Sequence, residues 1–355
     1  MNINPLAAAP KIGILAAAAL AASLGTAGTA GATSNVPAPV RAALSASASA
    51  SVANNTLTIT GTDNADSITL TVAGADPTTL DVALGPNVTQ SFPLSTFNSI
   101  GVTLGAGDDT FNVRTPSLAV PMTLDAGSGN DTITTGAGND VVLGGSGNDN
   151  IKSGAGDDSV DAGSGNDTVT GGSGHDSAFL DGGQDSFVWN PGDGSDFVNG
   201  GTGTDTLVFN GSNANEVMSL SADGQQSVFL RDVAGIRMDM NSVEALDLNT
   251  LNGADSFTVN DMTGTGFRDA TVNFGNDGLQ DKVTVNGTEN ADHVRVVANN
   301  GGVDVRGLAA TTHITGNNPT DLLQVNTLGG NDKVNVNGDV FGLVDPGVDL
   351  GAGQL

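Results

Sequence analysis

The chain has 355 residues, of which 51 are glycine, 4% are aromatic and none is cysteine, and its formal net charge is -28. So few bulky side chains argue against a large compact core, and the lack of cysteine excludes disulfides and thiolate metal sites. The negative charge excludes nucleic acid as a partner, because phosphate would be repelled. Apart from Glu216, Glu244 and Glu289, every acidic residue is an aspartate.

The N-terminus is predicted to be a cleavable secretory signal peptide spanning residues 1–32. Lys11 supplies a positive charge, residues 12–24 form an apolar run, and Ala30-Gly-Ala32 forms a small-residue cleavage motif. The run is too short for an ordinary transmembrane helix, so no membrane insertion is expected. We therefore expect an extracellular protein, either free or associated with the cell surface.

Residues 33–124 are predicted to contain a flexible leader and then a β segment. Proline, alanine and serine dominate the leader at residues 33–52. In the β segment, residues 53–124, alternating β-branched and polar side chains predict strands at 56–60, 67–72 and 79–83. The turn Gly61-Thr-Asp-Asn-Ala-Asp66 and the turn ending at Asp109 are degenerate copies of the repeat that follows.

A nine-residue repeat dominates residues 125–209. Its unit reads Gly-Gly-x-Gly-x-Asp-x-U-x, where U is apolar, and such a fixed period is typical of a stacked solenoid. Aspartate occupies every ninth position at Asp131, Asp140, Asp149, Asp158, Asp167, Asp176 and Asp185. Two further copies, shifted by two extra residues, end at Asp196 and Asp205.

The period predicts two columns of aspartates. Two nine-residue units complete one coil, so every second aspartate lies on the same edge. Successive aspartates of one column, called rungs here, are then about 4.8 Å apart. One column contains Asp131, Asp149, Asp167 and Asp185, and the other contains Asp140, Asp158 and Asp176. Such columns would repel themselves unless a cation lay between the rungs.

Calcium is the predicted cation, because it takes six to eight oxygen ligands in flexible geometry, whereas magnesium requires strict octahedral geometry and zinc favours His or Cys. Glycines allow the sharp turns that direct backbone carbonyls toward the metal. The glycines predicted to contribute are Gly127, Gly129, Gly136, Gly138, Gly145, Gly147, Gly154, Gly156, Gly163, Gly165, Gly172 and Gly174.

These residues closely resemble the RTX (haemolysin-type) calcium-binding repeat family, strongly over 125–209 and partially at 61–69, 104–112, 251–258, 287–295 and 327–335. The resemblance implies an all-β fold built around a parallel β-roll, with about five to seven calcium ions. The implied ions lie between Asp131 and Asp149, Asp149 and Asp167, Asp167 and Asp185, Asp140 and Asp158, and Asp158 and Asp176. Because the cytosol is poor in calcium, we expect the acidic, glycine-rich chain to fold only outside the cell, driven by extracellular calcium.

Residues 210–355 are predicted to form a degenerate β-solenoid, with strand-like triplets every 9–14 residues. Wider β-helix coils and a small antiparallel sandwich both fit that spacing. Trp189 is expected to be an aromatic plug that caps the β-roll.

No catalytic residues are predicted, because the sequence contains neither a His-Glu-x-x-His helix nor a Gly-x-Ser-x-Gly elbow. We therefore expect a non-enzymatic, secreted calcium-binding solenoid with a structural or cell-surface role and an unidentified envelope or matrix partner. Two alternatives remain open. One is a secreted hydrolase or polysaccharide-modifying enzyme with an unrecognised site, and the other is an adhesin or biofilm-matrix component.

Overall fold

The computed structural model describes residues 47–74, 76–275 and 277–351, and it is nearly all β, which confirms the predicted fold class. The predicted signal peptide and most of the predicted leader lie outside the described residues. A strand begins at Ser49, so the β segment starts earlier than the predicted boundary at residue 52. The chain divides into two compact units between Gly183 and Gln184, a boundary that falls inside the predicted repeat block.

Unit 1 contains fifteen described strands and a short 3-10 turn at Leu94–Thr96. The strands are β1 (Ser49–Ala53), β2 (Thr56–Thr60), β3 (Ser67–Val72), β4 (Thr79–Leu84), β5 (Thr89–Pro93), β6 (Ser99–Ala106), β7 (Thr110–Val113), β8 (Met122–Ser128), β9 (Thr132–Thr134), β10 (Val141–Ser146), β11 (Asn150–Ala155), β12 (Ser159–Ser164), β13 (Thr168–Ser173), β14 (Ser177–Phe179) and β15 (Gly182–Gly183).

Two parallel sheets form unit 1. One sheet runs β2-β6-β8-β10-β12-β14, and the other runs β3-β7-β9-β11-β13. Val142 lies opposite Leu124 on one side and Val160 on the other, so neighbouring strands of this sheet are 18 residues apart. Two nine-residue units therefore complete one coil, as the period predicts.

The core of these coils is formed by apolar side chains at alternate positions of each strand. Leu124, Val142 and Val160 line the interior from one sheet, and Ile133 and Ile151 line it from the other, all at most 1% exposed. Strand alternation directs the neighbouring polar residues outward. Each such burial contributes about 1.5–3 kcal/mol, which offsets the ordering cost of many glycines.

The first coils of unit 1 are longer than 18 residues. β2 pairs with β6 at a separation of 43 residues, because β3, β4 and β5 form an antiparallel meander between them. β7 and β9 are 22 residues apart, and β8 supplies the other strand of that coil. The irregular Asp109–Asp131 interval is therefore a complete coil with a four-residue insertion. β1 pairs antiparallel with β2 at the N-terminal edge.

Unit 2 contains seventeen described strands, with 3-10 turns at Val233–Gly235 and Gly338–Gly342. The strands are β16 (Ser186–Trp189), β17 (Phe197–Asn199), β18 (Thr202–Gly203), β19 (Thr206–Asn210), β20 (Val217–Asp223), β21 (Gln226–Arg231), β22 (Ile236–Asn241), β23 (Ala245–Asn249), β24 (Ser256–Val259), β25 (Asp269–Asn273), β26 (Lys282–Asn286), β27 (His293–Asn299), β28 (Gly302–Arg306), β29 (Thr311–Thr315), β30 (Leu322–Asn326), β31 (Lys333–Val336) and β32 (Asp345–Asp349).

Parallel coils also form unit 2, with one antiparallel strand inserted in each sheet. One parallel run is β16-β19-β23-β25-β29, and the other is β20-β24-β26-β30-β32. β21 pairs antiparallel with β20 and β22, and β28 pairs antiparallel with β27 and β29. The β-helix alternative therefore describes this unit, and the antiparallel sandwich does not.

Aromatic side chains fill the first coils of unit 2. Trp189 is fully buried, and its ring stacks on Phe209 with centroids 4.1 Å apart and planes 2° from parallel. Phe229 packs against Phe209, and Phe257 packs against Phe229. Trp189 is thus a core residue of this unit.

Candidate metal sites

The structure places the predicted aspartates of unit 1 in two columns. The amides of Asp131, Asp140, Asp149 and Asp158 each donate a hydrogen bond to Oδ1 of the aspartate 18 residues later, which lies one coil further on. The bonds are Asp131 to Asp149 (2.8 Å), Asp149 to Asp167 (2.8 Å), Asp140 to Asp158 (2.8 Å) and Asp158 to Asp176 (2.9 Å). This backbone-to-carboxylate ladder fixes the position of each accepting carboxyl group.

The second carboxylate oxygen is buried in these rungs. Oδ2 of Asp131, Asp140, Asp149 and Asp158 has no hydrogen-bond partner among the described residues. These side chains are at most 3% exposed. A buried charged oxygen without a partner is costly, so each rung requires a cation or a proton.

Burial also shifts the acidity of these carboxyls. It raises the pKa of Asp149 to about 6 and the pKa of Asp158 to about 8, and repulsion from Asp176 and Asp140 raises the latter further. In Asp140, burial raises the pKa to about 6 despite the hydrogen bonds it accepts. Without a bound cation, the columns therefore oppose folding near neutral pH.

The predicted glycines form the turns beside these aspartates. All except Gly136 and Gly138 have positive φ, for example 103° at Gly145 and 125° at Gly147, a backbone region that disfavours side chains. The turns also stack closely. A Cβ atom at Gly147 would lie 1.9 Å from the carbonyl oxygen of Gly129, one coil earlier.

Gly136 and Gly138 differ because they stack on the insertion before β8. Cβ atoms there would lie 2.4 Å from the carbonyl oxygen of Leu118 and 2.9 Å from Pro121. These two glycines therefore allow the backbone to pack closely against the preceding coil, and they do not form a left-handed turn. The insertion interrupts the repeat, so the period alone did not reveal the difference.

The donor set of the columns suits a hard cation. Within the described ranges no group of three His, Cys, Asp or Glu side chains converges on one point, so backbone carbonyls must supply most of the ligands. Stacked carbonyls and one buried carboxylate oxygen per rung match the oxygen-rich coordination of calcium. Asp131, Asp140, Asp149 and Asp158, with the carbonyls of their turns, are the residues that would hold it.

The same ladder extends beyond the aspartates predicted from the period. In unit 1 the amide of Asp109 donates to Asp131, and that of Asp66 donates to Asp109. In unit 2 the rungs join Asp185 to Asp205, Asp205 to Glu244, Glu216 to Asp255, Asp255 to Asp281, Asp281 to Asp321 and Asp292 to Asp332. The separations of 20, 39, 26 and 40 residues conceal these rungs from a search for a nine-residue period. Their detectable signal is an acidic residue directly before each strand.

Asp196 lies directly before β17 in unit 2. It is buried, and its backbone carbonyl accepts a hydrogen bond from the amide of Asp239 at 2.9 Å. Asp205 lies on the next rung after Asp185, and burial raises its pKa to about 7, with repulsion from Asp185 and Glu244.

In some turns, hydrogen-bond donors of the same turn satisfy the aspartate carboxylate. Asp66 accepts hydrogen bonds from the amide and hydroxyl of Thr62, and Asp292 accepts the same two bonds from Thr288. Threonine stands there where the repeat has its second glycine. These partial copies keep the shape of the repeat and satisfy the carboxylate without a metal.

An arginine neutralises one rung of unit 2. Glu216 stands at the aspartate position of a partial repeat and forms a buried ion pair with Arg231, whose Nε lies 2.7 Å from Oε1. The guanidinium also donates to the Ser212 hydroxyl and lies 5.2 Å from the centre of the Trp189 ring. A side chain here supplies the positive charge that a metal ion would otherwise provide.

Four copies of the RTX calcium-binding nonapeptide repeat match the chain, at residues 123–151, 143–178, 152–187 and 192–213. Together with the parallel coils, they define a calcium-binding β-roll protein. The repeats are those of the RTX family, so the resemblance noted in the sequence is confirmed. No curated protein matches the chain.

Proposed function

We propose that this protein is secreted, folds when it meets extracellular calcium, and acts as a non-enzymatic structural or cell-surface element. The buried Oδ2 atoms of Asp131, Asp140, Asp149 and Asp158, which have no hydrogen-bond partner among the described residues, carry this proposal. They make the folded repeats unfavourable without cations and favourable with them. The cytosol is poor in calcium, so the acidic, glycine-rich chain would remain unfolded until export.

The predicted signal peptide at residues 1–32 supports an extracellular location. In the part of the chain that the structure describes, no helix has the length and apolar character needed to cross a membrane. The lack of cysteine is compatible with an oxidising exterior, because no thiol is exposed to oxidation.

Two surface depressions are compatible with a non-enzymatic role. One of about 470 Å³ is lined by apolar and hydroxyl side chains, including Val72, Leu94 and Thr115. Another of about 380 Å³ has Lys152 as the one titratable side chain in its lining. Neither combines the acid, base and nucleophile that hydrolysis would require.

Circular dichroism of the mature chain tests calcium-driven folding. We expect little β signal in chelator and a cooperative gain at roughly millimolar calcium, the range of weak extracellular modules. Magnesium at the same concentration is the control and should give a much smaller gain. A full β signal in chelator that calcium leaves unchanged would contradict the proposal.

A further inference from the structure

One turn of unit 2, outside the residues that match the repeat, retains the geometry of the calcium-binding turns. It runs from Thr250 to Asp255 and is called here the 255 turn. Leu251 and Gly253 have φ values of 71° and 139°, and they stand where the repeat has its two left-handed glycines. Left-handed backbone costs a leucine about 1–2 kcal/mol, and this side chain is 44% exposed. Packing of the leucine therefore does not explain the conformation.

The next coil stacks on the 255 turn as the repeats stack on one another. A Cβ atom at Gly275 would lie 2.0 Å from the carbonyl oxygen of Leu251. The amide of Gly253 donates to Oδ2 of Asp277 at 2.8 Å, which holds that carboxylate beside the turn. Backbone carbonyls and an acidic side chain thus meet at one edge.

The carboxylates of this rung have the arrangement seen in the aspartate columns. The amide of Asp255 donates to Oδ1 of Asp281 at 2.8 Å, and both side chains are at most 2% exposed. Oδ2 of Asp255 is buried, with no hydrogen-bond partner in the described part of the chain. Burial raises the pKa of Asp281 to about 7, and repulsion from Asp321, Asp255 and Asp277 contributes.

The rungs on either side are neutralised or closed by the protein itself. Glu216, one coil earlier, pairs with Arg231. Asp321, one coil later, accepts hydrogen bonds from the amide and side chain of Asn318 at 2.7 and 2.9 Å. Between them, Oδ2 of Asp255 is buried and has no arginine or asparagine donor among the described residues.

We propose that the 255 turn binds one further calcium ion, through Oδ2 of Asp255, the carboxylate of Asp281 and turn carbonyls, with Asp277 adding charge nearby. This inference extends the calcium binding of the proposed function to a site beyond the repeats at residues 123–213. Calcium is favoured over zinc because the available donors are all oxygens.

Counting bound calcium in the full mature chain tests the site. Equilibrium dialysis or native mass spectrometry should show one ion fewer per chain in Asp255→Asn than in the wild type. Asp321→Asn is the matched control, because it removes a charge from the same column at a turn closed by Asn318, and it should keep the wild-type count. Circular dichroism and the emission of Trp189 establish that each variant is folded.

If Asp255→Asn does not fold, Asp277→Asn tests the same site. Asp277→Asn changes a partly exposed carboxylate and should weaken the binding of one ion at least several-fold while the count at saturation stays the same. Wild-type calcium binding by whichever of the two variants folds would overturn the inference. If Asp149→Asn lowers the count while Asp255→Asn does not, this site alone is refuted and the proposed function stands. If the wild type binds no calcium, both fail.

Discussion

Replacing Asp149 with asparagine should change stability in opposite directions with and without calcium. The amide of Asp131 donates to Oδ1 of Asp149 at 2.8 Å, and an asparagine Oδ1 accepts the same bond. The substitution therefore leaves the backbone ladder intact. It removes the negative charge and replaces the unpaired Oδ2 with an amide group.

The metal-free effect follows from the acidity of this carboxyl. Burial raises the pKa of Asp149 from 3.8 to about 6, so keeping it ionised in the fold at pH 7 costs on the order of 3 kcal/mol, at about 1.4 kcal/mol per pH unit. Burying the asparagine amide without a partner costs on the order of 1 kcal/mol. In chelator the variant should therefore be more stable than the wild type by about 2 kcal/mol.

The calcium effect has the opposite sign. An ion that binds only the folded state stabilises it by about 2.7 kcal/mol when its concentration is a hundredfold above the dissociation constant. The variant lacks one charged ligand, so we expect it to lose about that much of the stabilisation by calcium at each site that uses Asp149. Its unfolding midpoint should therefore respond less to calcium than that of the wild type.

Urea unfolding followed by circular dichroism, in chelator and in calcium, measures both effects. Asp63→Asn is the control, because it removes the same charge from an exposed position and should change neither value by more than about 0.5 kcal/mol. The reasoning would be refuted if Asp149→Asn were less stable than the wild type in chelator, or if calcium stabilised both proteins equally.

Three further predictions follow from the same geometry. Burial raises the folded-state pKa of Asp158 from 3.8 to about 8, so between those pH values the folded chain binds more protons than the unfolded chain. The metal-free protein should therefore gain stability on acidification from pH 8 to pH 5, while its calcium affinity falls. Urea midpoints that stay constant across that range would contradict this prediction. Gly147→Ala should destabilise the calcium-loaded protein by more than about 2 kcal/mol, because φ is 125° and the new Cβ would meet a backbone carbonyl. Gly74→Ala is the control: the space around Gly74 is open, so this variant should lose less than about 0.5 kcal/mol in the same urea assay. Arg231→Met should lower the free energy of unfolding by about 3–5 kcal/mol, because it leaves the buried Glu216 without its ion-pair partner. Adding Glu216→Gln should recover most of that loss; a double variant as unstable as Arg231→Met would contradict this reason.

The nine-residue period predicts unit 1 from residue 125 onward, because it determines both which strands pair and which side chains face inward. Val142 lies opposite Val160, and Asp131 bonds to Asp149, since each pair is separated by two periods. Strand alternation then decides which side chains are buried. Where the period is unbroken, the sequence contains the information needed to place both the core and the acidic columns.

The period fails where a coil contains an insertion, as in the first coils and in unit 2. The rung from Asp255 to Asp281 spans 26 residues and the next spans 40, so no fixed interval connects them. The pairing of Glu216 with Arg231 depends on β21 running antiparallel beside β20, which a repeat pattern does not encode. The left-handed conformation of Leu251 is likewise imposed by the stacked turn rather than by its own preference.

The ion pair of Glu216 with Arg231 makes the counter-charge at this rung independent of the ions in solution. The guanidinium of Arg231 is tethered fifteen residues away, so its effective concentration at the carboxylate is set by the chain. Dilution or chelation cannot strip it, whereas a diffusible ion leaves when its supply falls. That rung therefore behaves as a permanently filled position, whereas a rung with a buried, unpartnered Oδ2, such as that of Asp149, would depend on an exchangeable cation.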